Sequence, residues 1–372
     1  MKARRPLVAA LSLAIAGGLA FAIVGAPLPR IAPAAARWQA SPPLPGVEAP
    51  AFAVSYDGRV IAGRDIGTPR PTASTIKVLT ALAVLQEGLP LARSIVVAPA
   101  EAVAARSGTI LGHGELPLVA GETLTVRDLL LAMLLPSADD AADLLAGASP
   151  GGEAGLLGRM RSIAGALRLG LPPLGDPSGL SPRDQLSPRG EVRLGWAAVH
   201  NPTLAAIVAT PSAELSSGQW VRSLNQLLFR YPGAIGVKTG ETVPAGYVLL
   251  FAARRAGTAV GVVMGEPSDA GRFEDARRLL DWTFSWSRRH TLPAGSRAGE
   301  VTWPGGFVQR LRTASPLLAP TGGILALHLV SLPLLARGGR VGYLTLGGRK
   351  VQVLAPPAPL WLRLWSCAAL LR

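Results

Sequence analysis

The sequence predicts an α+β chain: an antiparallel sheet covered by helices, then a small all-β domain. Three observations lead there. Strand-like runs are joined by tight turns rather than helical crossovers, as in "AFAVSYDGRVIAG" about Asp57-Gly58 and in "GYVLLFAA", "RRAG", "TAVGVVMG", and hairpins make antiparallel neighbours. Helical stretches lie between them, and one, Ile76 to Leu85, is apolar on every side and so belongs between layers. Beyond about residue 290 short strands and Gly-rich turns take over, from "RAGEVTWPGG" to "RKVQVLAPP".

The elements follow in order. "MKARR" is a positive start and "PLVAALSLAIAGGLAFAIVGA" a long uncharged apolar run, with small residues in "APAAAR" behind it. Residues 1–37 therefore read as an export signal, or as a membrane anchor if uncleaved, and place the protein outside the cytoplasm, on the outer face of the membrane. Residues 27–50 are a Pro/Ala-rich linker, and the main domain extends over 38–290. After the first hairpin comes the buried helix from Ser74. A capping box, Thr125 to Asp128, opens "TLTVRDLLLAMLLP", and "SADDAADLLAGA" resumes as a helix. Residues 150–190 are Gly/Pro-rich with a turn at "DPSGLSP". Ser187 and Pro188 then start another helix as N-cap and first residue. The amphipathic "RFEDARRLLDWTFSW" closes the domain, and a small β domain covers 291–357. The apolar tail at 358–372, with Trp361, Trp365 and two arginines, suits a membrane interface or a helix packed on its own domain.

Composition narrows the partners. With 37 basic and 23 acidic residues the net charge is +14, compatible with nucleic acid, anionic lipid or an anionic wall polymer. No nucleic-acid motif or basic run with interleaved aromatics is present, so nucleic acid is not expected. His113, His200, His290 and His328 form no metal-ligand pattern, and Cys367 is alone, so no metal, cofactor or internal disulfide is implied.

The lysines are more informative. Only Lys2, Lys77, Lys238 and Lys350 stand against 33 arginines. A lysine kept in such a background can lose its proton, which arginine cannot. Lys77 lies one helical turn after Ser74, in an apolar helix, where burial favours the neutral amine that could take a serine proton. Alone, Ser74-Thr75-Ile76-Lys77 is a weak pattern. Ser137-Ala138-Asp139 sits between two helices and by itself reads as an N-cap. Lys238-Thr239-Gly240 lies on a strand, either as an exposed edge or as a cation beside a close backbone approach, suited to a ligand carboxylate.

Together, and in this order, the three motifs resemble the penicillin-binding protein and serine β-lactamase superfamily. The phrasing of "TASTIKVLTALAVL", "SGTILGHGELPLVAGETLTVRDLLLAMLLPSADDAADLLA", "DPSGLSP", "LNQLLFRYPGAIGVKTGETVPAGYVLLFAARRAG" and "GRFEDARRLLDWTF" is similar to the low-molecular-mass D-alanyl-D-alanine carboxypeptidases over residues 50 to 290. The resemblance implies the superfamily's fold with its helical subdomain, no cofactor, and peptidoglycan stem peptides and β-lactams as ligands. It implies Ser74 as nucleophile, Lys77 as base and Ser137 as proton relay. Lys238 and Thr239 would hold the terminal carboxylate, with Arg272 near it unless that arginine is a surface charge. The backbone N–H groups of Ser74 and Glu241, the residue after Gly240, would form the oxyanion hole. Asp139 departs from the family, whose middle motif ends in Asn. Asn both donates and accepts, whereas an ionised Asp only accepts and favours a charged lysine. Two alternatives stand beside the carboxypeptidase: a weakly active or inactive wall-binding homologue, and a β-lactamase of the same fold, for which "DPSGLSPRDQ" lacks the expected Glu.

Overall fold

The computed structural model describes residues 10–13, 30–33, 41–99, 119–170, 174–303, 307–318, 326–329, 339–346 and 349–357. Most of the apolar N-terminal segment and the whole 358–372 tail lie outside the described residues. The chain divides into two compact units, Leu44–Phe284 and a second one of Met1–Pro43 with Ser285–Arg372.

The larger unit is built on a five-stranded sheet. Its strands are β1 (Ala51–Tyr56), β2 (Arg59–Arg64), β3 (Ala234–Thr242), β4 (Gly246–Arg254) and β5 (Thr258–Glu266), in the order β3-β4-β5-β1-β2. Every pairing is antiparallel, as the hairpin turns require. The β1–β2 turn places Asp57 and Gly58 at φ 47° and 78°, the left-handed pair that a two-residue hairpin demands.

Eight helices accompany the sheet among the described residues: α1 (Lys77–Gln86), α2 (Val126–Leu134), α3 (Asp139–Ala148), α4 (Gly152–Ala166), α5 (Pro188–His200), α6 (Pro202–Val208), α7 (Leu227–Arg230) and α8 (Asp269–Arg289). α5 covers one face, where Gly195 comes so close that a Cβ would lie 2.8 Å from Val260 and 2.9 Å from Leu250. Neighbouring residues on a strand face opposite ways, so Tyr56, paired with Ala259, points to the other face. There its ring meets Phe284 of α8 edge-on at 6.3 Å. Helices α1 to α4 pack together as a helical subdomain. Within it α1 buries Val78, Leu79, Ala81, Ala83 and Val84, as its all-round apolar surface requires.

The helix starts obey local chemistry. Thr125 Oγ1 accepts from Asp128 N and the Asp128 carboxylate accepts from Thr125 N, completing the capping box. Ser187 caps α5, with Pro188 as its first residue. The 15-residue α4 is absent from the sequence reading, because glycines at 151, 152, 155, 158 and 165 disguise it.

The second unit holds a seven-stranded sheet in the order 10–13, 326–329, 340–346, 349–354, 308–313, 297–302, 30–33. Its core includes Val301, Trp303, Leu311, Leu327, Val341, Leu344 and Val353. The strand Val308–Thr313 shows the expected alternation, with Val308, Arg310 and Arg312 outward and Gln309, Leu311 and Thr313 buried. The α+β class, the antiparallel sheet and the C-terminal all-β region are those the sequence predicts.

Candidate active site

Three separate elements bring residues of the three motifs to one cleft of about 580 Å³, and α8 adds Arg272. Ser74 sits on a 3-10 turn, Ala73–Ile76, that feeds directly into α1. Ser137 lies in the loop between α2 and α3, and Asp139 is the first residue of α3. Lys238, Thr239, Gly240 and Glu241 belong to β3, an edge strand. Ser74, Ser137, Asp139, Thr239, Gly240, Glu241 and Arg272 all line the cleft.

The nucleophile candidate follows strained backbone that its surroundings hold in place. Ala73 has φ 47° and Ser137 φ 73°, left-handed conformations that cost a non-glycine residue about 1–3 kcal/mol. Such backbone persists only where its surroundings fix it. At the first turn, Thr72 N and Thr72 Oγ1 both donate to Asp184 O, at 2.9 and 3.0 Å. Thr75 Oγ1 lies 2.8 Å from Thr72 O and 2.7 Å from Glu191 Oε1. Two glycines permit the close packing. A Cβ on Gly179 would fall 2.1 Å from Ala73 O, and one on Gly240 2.8 Å from Thr72 O and 3.3 Å from Ser74 N. β3 is thus pressed against the Ser74 turn, which is what brings Glu241 to the same cleft as Ser74.

Lys77 is 0% exposed and has two partners. Its Nζ donates to Ser74 Oγ at 2.8 Å and to Asp139 Oδ1 at 2.5 Å. The second contact is an ion pair whose carboxylate stays partly in solvent. Lys238 is 1% exposed, so it is not the exposed-edge residue that its motif alone allowed, and it donates to Thr239 O at 2.9 Å. Burial pushes its pKa well below the usual lysine value, and the positive charges of Lys77 and Arg272 push the same way against Asp139. Of the two lysines, Lys77 is paired with Asp139, and Lys238 has no carboxylate partner among the described ion pairs.

Two simpler readings of single motifs are corrected. Ser137 does not cap α3; Ala138 occupies the cap position and no side chain closes it. Arg272 is not a surface charge: it is 5% exposed, donates to Gly240 O at 2.9 Å and pairs with Asp269. Its guanidinium lies 5.1 Å from the centres of the Tyr247 and Phe273 rings. It braces β3 beside the cleft through the backbone of Gly240.

Not visible in the sequence were the other residues that line the cleft, among them Leu180, Leu224, Gln226, Val243, Tyr247 and Asp269. Val243, 90% exposed at the end of β3, offers only an isolated apolar residue as a signal. Nor were Glu191 and Asp184, buried carboxyls behind the Ser74 turn. In the "DPSGLSP" loop, burial pushes Asp176 up, but hydrogen bonds from Ser178, Gly179 and Ser181 outweigh it and hold the carboxyl below its usual value. Ser178 N and Oγ and Gly179 N reach one oxygen, and Ser181 N the other. Among the described residues no group of three or more metal-ligating side chains occurs.

The comparison with known proteins now bears directly on this geometry. Residues 42–268, which carry all three motifs, match the peptidase S11 family model, described as D-alanyl-D-alanine carboxypeptidase. The chain belongs to that family. It is 36% identical over 262 residues to a D-alanyl-D-alanine carboxypeptidase of Mycobacterium tuberculosis, covering 66% of this chain and 85% of the relative. Against a D-alanyl-D-alanine carboxypeptidase of a Streptomyces species the identity is 30%, over 61% of this chain and 84% of the relative. A crystal structure of the carboxypeptidase from Mycobacterium tuberculosis superposes with TM-score 0.60 and 33% identity, over 67% of this chain and 96% of the other. The crystal structure of a Streptomyces DD-transpeptidase gives TM-score 0.59 and 29% identity, over 65% of this chain and 99% of the other. The S11 match stops short of Arg272 and leaves out nearly all of the second unit.

Proposed function

We propose that this S11 peptidase removes the terminal D-alanine from peptidoglycan stem peptides through an acyl-enzyme on Ser74, and that penicillins acylate the same serine. The observation that carries the reading is the Ser74 Oγ–Lys77 Nζ hydrogen bond of 2.8 Å at the cleft, made by a lysine with no exposure to water. Ser74 Oγ attacks the carbonyl carbon of the D-Ala–D-Ala bond as its proton passes to Lys77. The N–H groups of Ser74 and Glu241 receive the oxyanion. The C–N bond breaks as the leaving amine takes a proton through Ser137. Water then cleaves the Ser74 ester and frees the shortened peptide. Lys238 and Thr239 hold the substrate's terminal carboxylate, a role that suits a buried lysine with no carboxylate partner among the described residues.

The β-lactamase alternative is disfavoured, because both Asp176 oxygens are engaged by their own loop and no glutamate stands there to activate water. A weakly active wall-binding protein remains the second reading, favoured by one observation: Asp139 pairs with the proposed base. The export expected from the N-terminal segment belongs to this proposal, since the substrate lies outside the cell membrane. Among the described residues no helix is long and apolar enough to cross a membrane. The test is D-alanine release from a diacetylated Lys-D-Ala-D-Ala peptide. Wild type should release it and Ser74→Ala should not, with both proteins melting alike. Equal release by both would remove Ser74 as nucleophile.

A further inference from the structure

Behind the nucleophile turn stands a carboxyl that the mechanism above does not use. Glu191, on the first turns of α5, is fully buried, and among the described residues the one hydrogen bond of its carboxyl is the 2.7 Å contact between Oε1 and Thr75 Oγ1. Its Oε2 is buried with no partner among the described residues. The Thr75 hydroxyl has a second neighbour, Thr72 O at 2.8 Å. A hydroxyl carries one proton. If Thr75 gives it to Glu191, then Thr75 Oγ1 and Thr72 O face each other at 2.8 Å with nothing between them, and a carboxylate is buried with one bare oxygen. If Glu191 carries its own proton, both contacts become hydrogen bonds and no charge is buried.

We propose that Glu191 is a positioning residue for acylation: as a neutral carboxylic acid it donates to Thr75 Oγ1, which frees the Thr75 hydroxyl to donate to Thr72 O and fasten the left-handed turn at Ala73 that aims Ser74. This rests on Ser74 being the nucleophile. The chain of bonds is continuous: Glu191 to Thr75, Thr75 to Thr72, and Thr72 to Asp184 O. It closes around Ala73, the residue whose φ of 47° needs outside support. Without that support Ser74 Oγ and Lys77 Nζ would still lie on one helix face, but the serine backbone N–H would drift from its place against β3.

The surroundings favour the neutral acid. Burial pushes Glu191 up to about 7, and no charged side chain contributes. The charged groups on the elements around it are turned elsewhere. Lys77 of α1 faces Ser74 and Asp139, Asp139 of α3 faces Lys77, and Asp184, ahead of α5, takes Gly175 N on its carboxylate. Arg193 on α5 itself donates to Arg168 O, and Arg189, also on α5, is exposed to solvent. Ionisation of Glu191 would therefore place an unpaired charge behind the serine and reverse the direction of the Thr75 bond.

The test compares penicillin acylation rates of wild type, Glu191→Gln, Glu191→Ala and Thr75→Val from pH 6 to 9, with thermal melts alongside and infrared spectra of wild type minus Glu191→Gln. The Gln amide can donate to Thr75 but cannot ionise. It should keep at least about a third of the wild-type rate at pH 6 and lose less of it above pH 7. Glu191→Ala and Thr75→Val should be slower by about tenfold or more at every pH. The infrared difference should show a protonated carboxyl band at pH 6 that fades at high pH, a readout independent of activity. The proposal is overturned if that band is absent at pH 6, if Glu191→Gln is as slow as Thr75→Val, or if its pH profile superimposes on wild type. Wild type that takes no penicillin label would refute the Ser74 reading, while the infrared band would still decide the protonation of Glu191.

Discussion

Replacing Asp139 by asparagine should speed the enzyme and weaken the fold. In the resting site Lys77 Nζ is shared between Ser74 Oγ at 2.8 Å and Asp139 Oδ1 at 2.5 Å. To take the serine proton the lysine must be the free amine, so it must lose a proton while a carboxylate sits against it. Asparagine at that place still offers a carbonyl oxygen to Lys77, removes the negative charge, and adds an N–H2 donor toward the cleft that Asp139 lines. A hydrogen bond to a charged group is worth about 1.5–3 kcal/mol, or on the order of 10- to 100-fold in rate. Breaking a fully buried ion pair costs about 3–5 kcal/mol, but this carboxylate is 28% exposed and the acceptor is kept, so a loss of about 1–2 kcal/mol is expected. The assay is D-alanine release from the diacetylated tripeptide at pH 5 to 9, with urea melts of both proteins. A mutant that is less stable but 10- to 100-fold faster near neutral pH supports the reasoning. One that is slower at every pH refutes it, and would mean that the proton relay runs through the carboxylate.

Three further outcomes are expected. Gly240→Ala should cut acylation by about 100-fold and cost about 1–3 kcal/mol, because its Cβ would meet Thr72 O at 2.8 Å and push β3 off the Ser74 turn; steady-state kinetics and a thermal melt check both. Arg272→Met should lower kcat about tenfold with KM within about twofold, since the guanidinium is engaged by Gly240 O; a rise in KM alone would put it on the substrate carboxylate. Stability should fall as pH rises from about 4.5 to about 7. Glu191 keeps its proton in the fold over that window while the unfolded chain releases it, which removes roughly 3 kcal/mol in all, and Glu191→Gln should flatten the slope in denaturant melts at constant ionic strength.

Much of the architecture was legible because it rests on local signals. The Asp57-Gly58 turn, the Thr125–Asp128 capping box and the Ser187-Pro188 start are short-range rules, and each formed as read. The helix α4 was hidden because its glycines lower helix propensity, and packing against α1 restores what propensity withholds. Within the site, the three motifs were visible as residue types, and the structure gathers them at one cleft. The left-handed backbone at Ala73 and Ser137 was not visible, since neither residue advertises a positive φ. Glu191 looked like an ordinary acid in a helix's first turn, where carboxylates are favoured for the dipole. Only the fold shows that it points inward to Thr75. Arg272 was likewise ambiguous, because the carbonyl it serves lies 32 residues earlier in the chain.

The most direct measurement is to label the purified protein with a fluorescent penicillin and map the modified peptide by mass spectrometry. A stable adduct is expected on the peptide that contains Ser74 and is expected to be lost in Ser74→Ala, whose fold matches wild type. No adduct, an adduct on another residue, or one that turns over within seconds would contradict it.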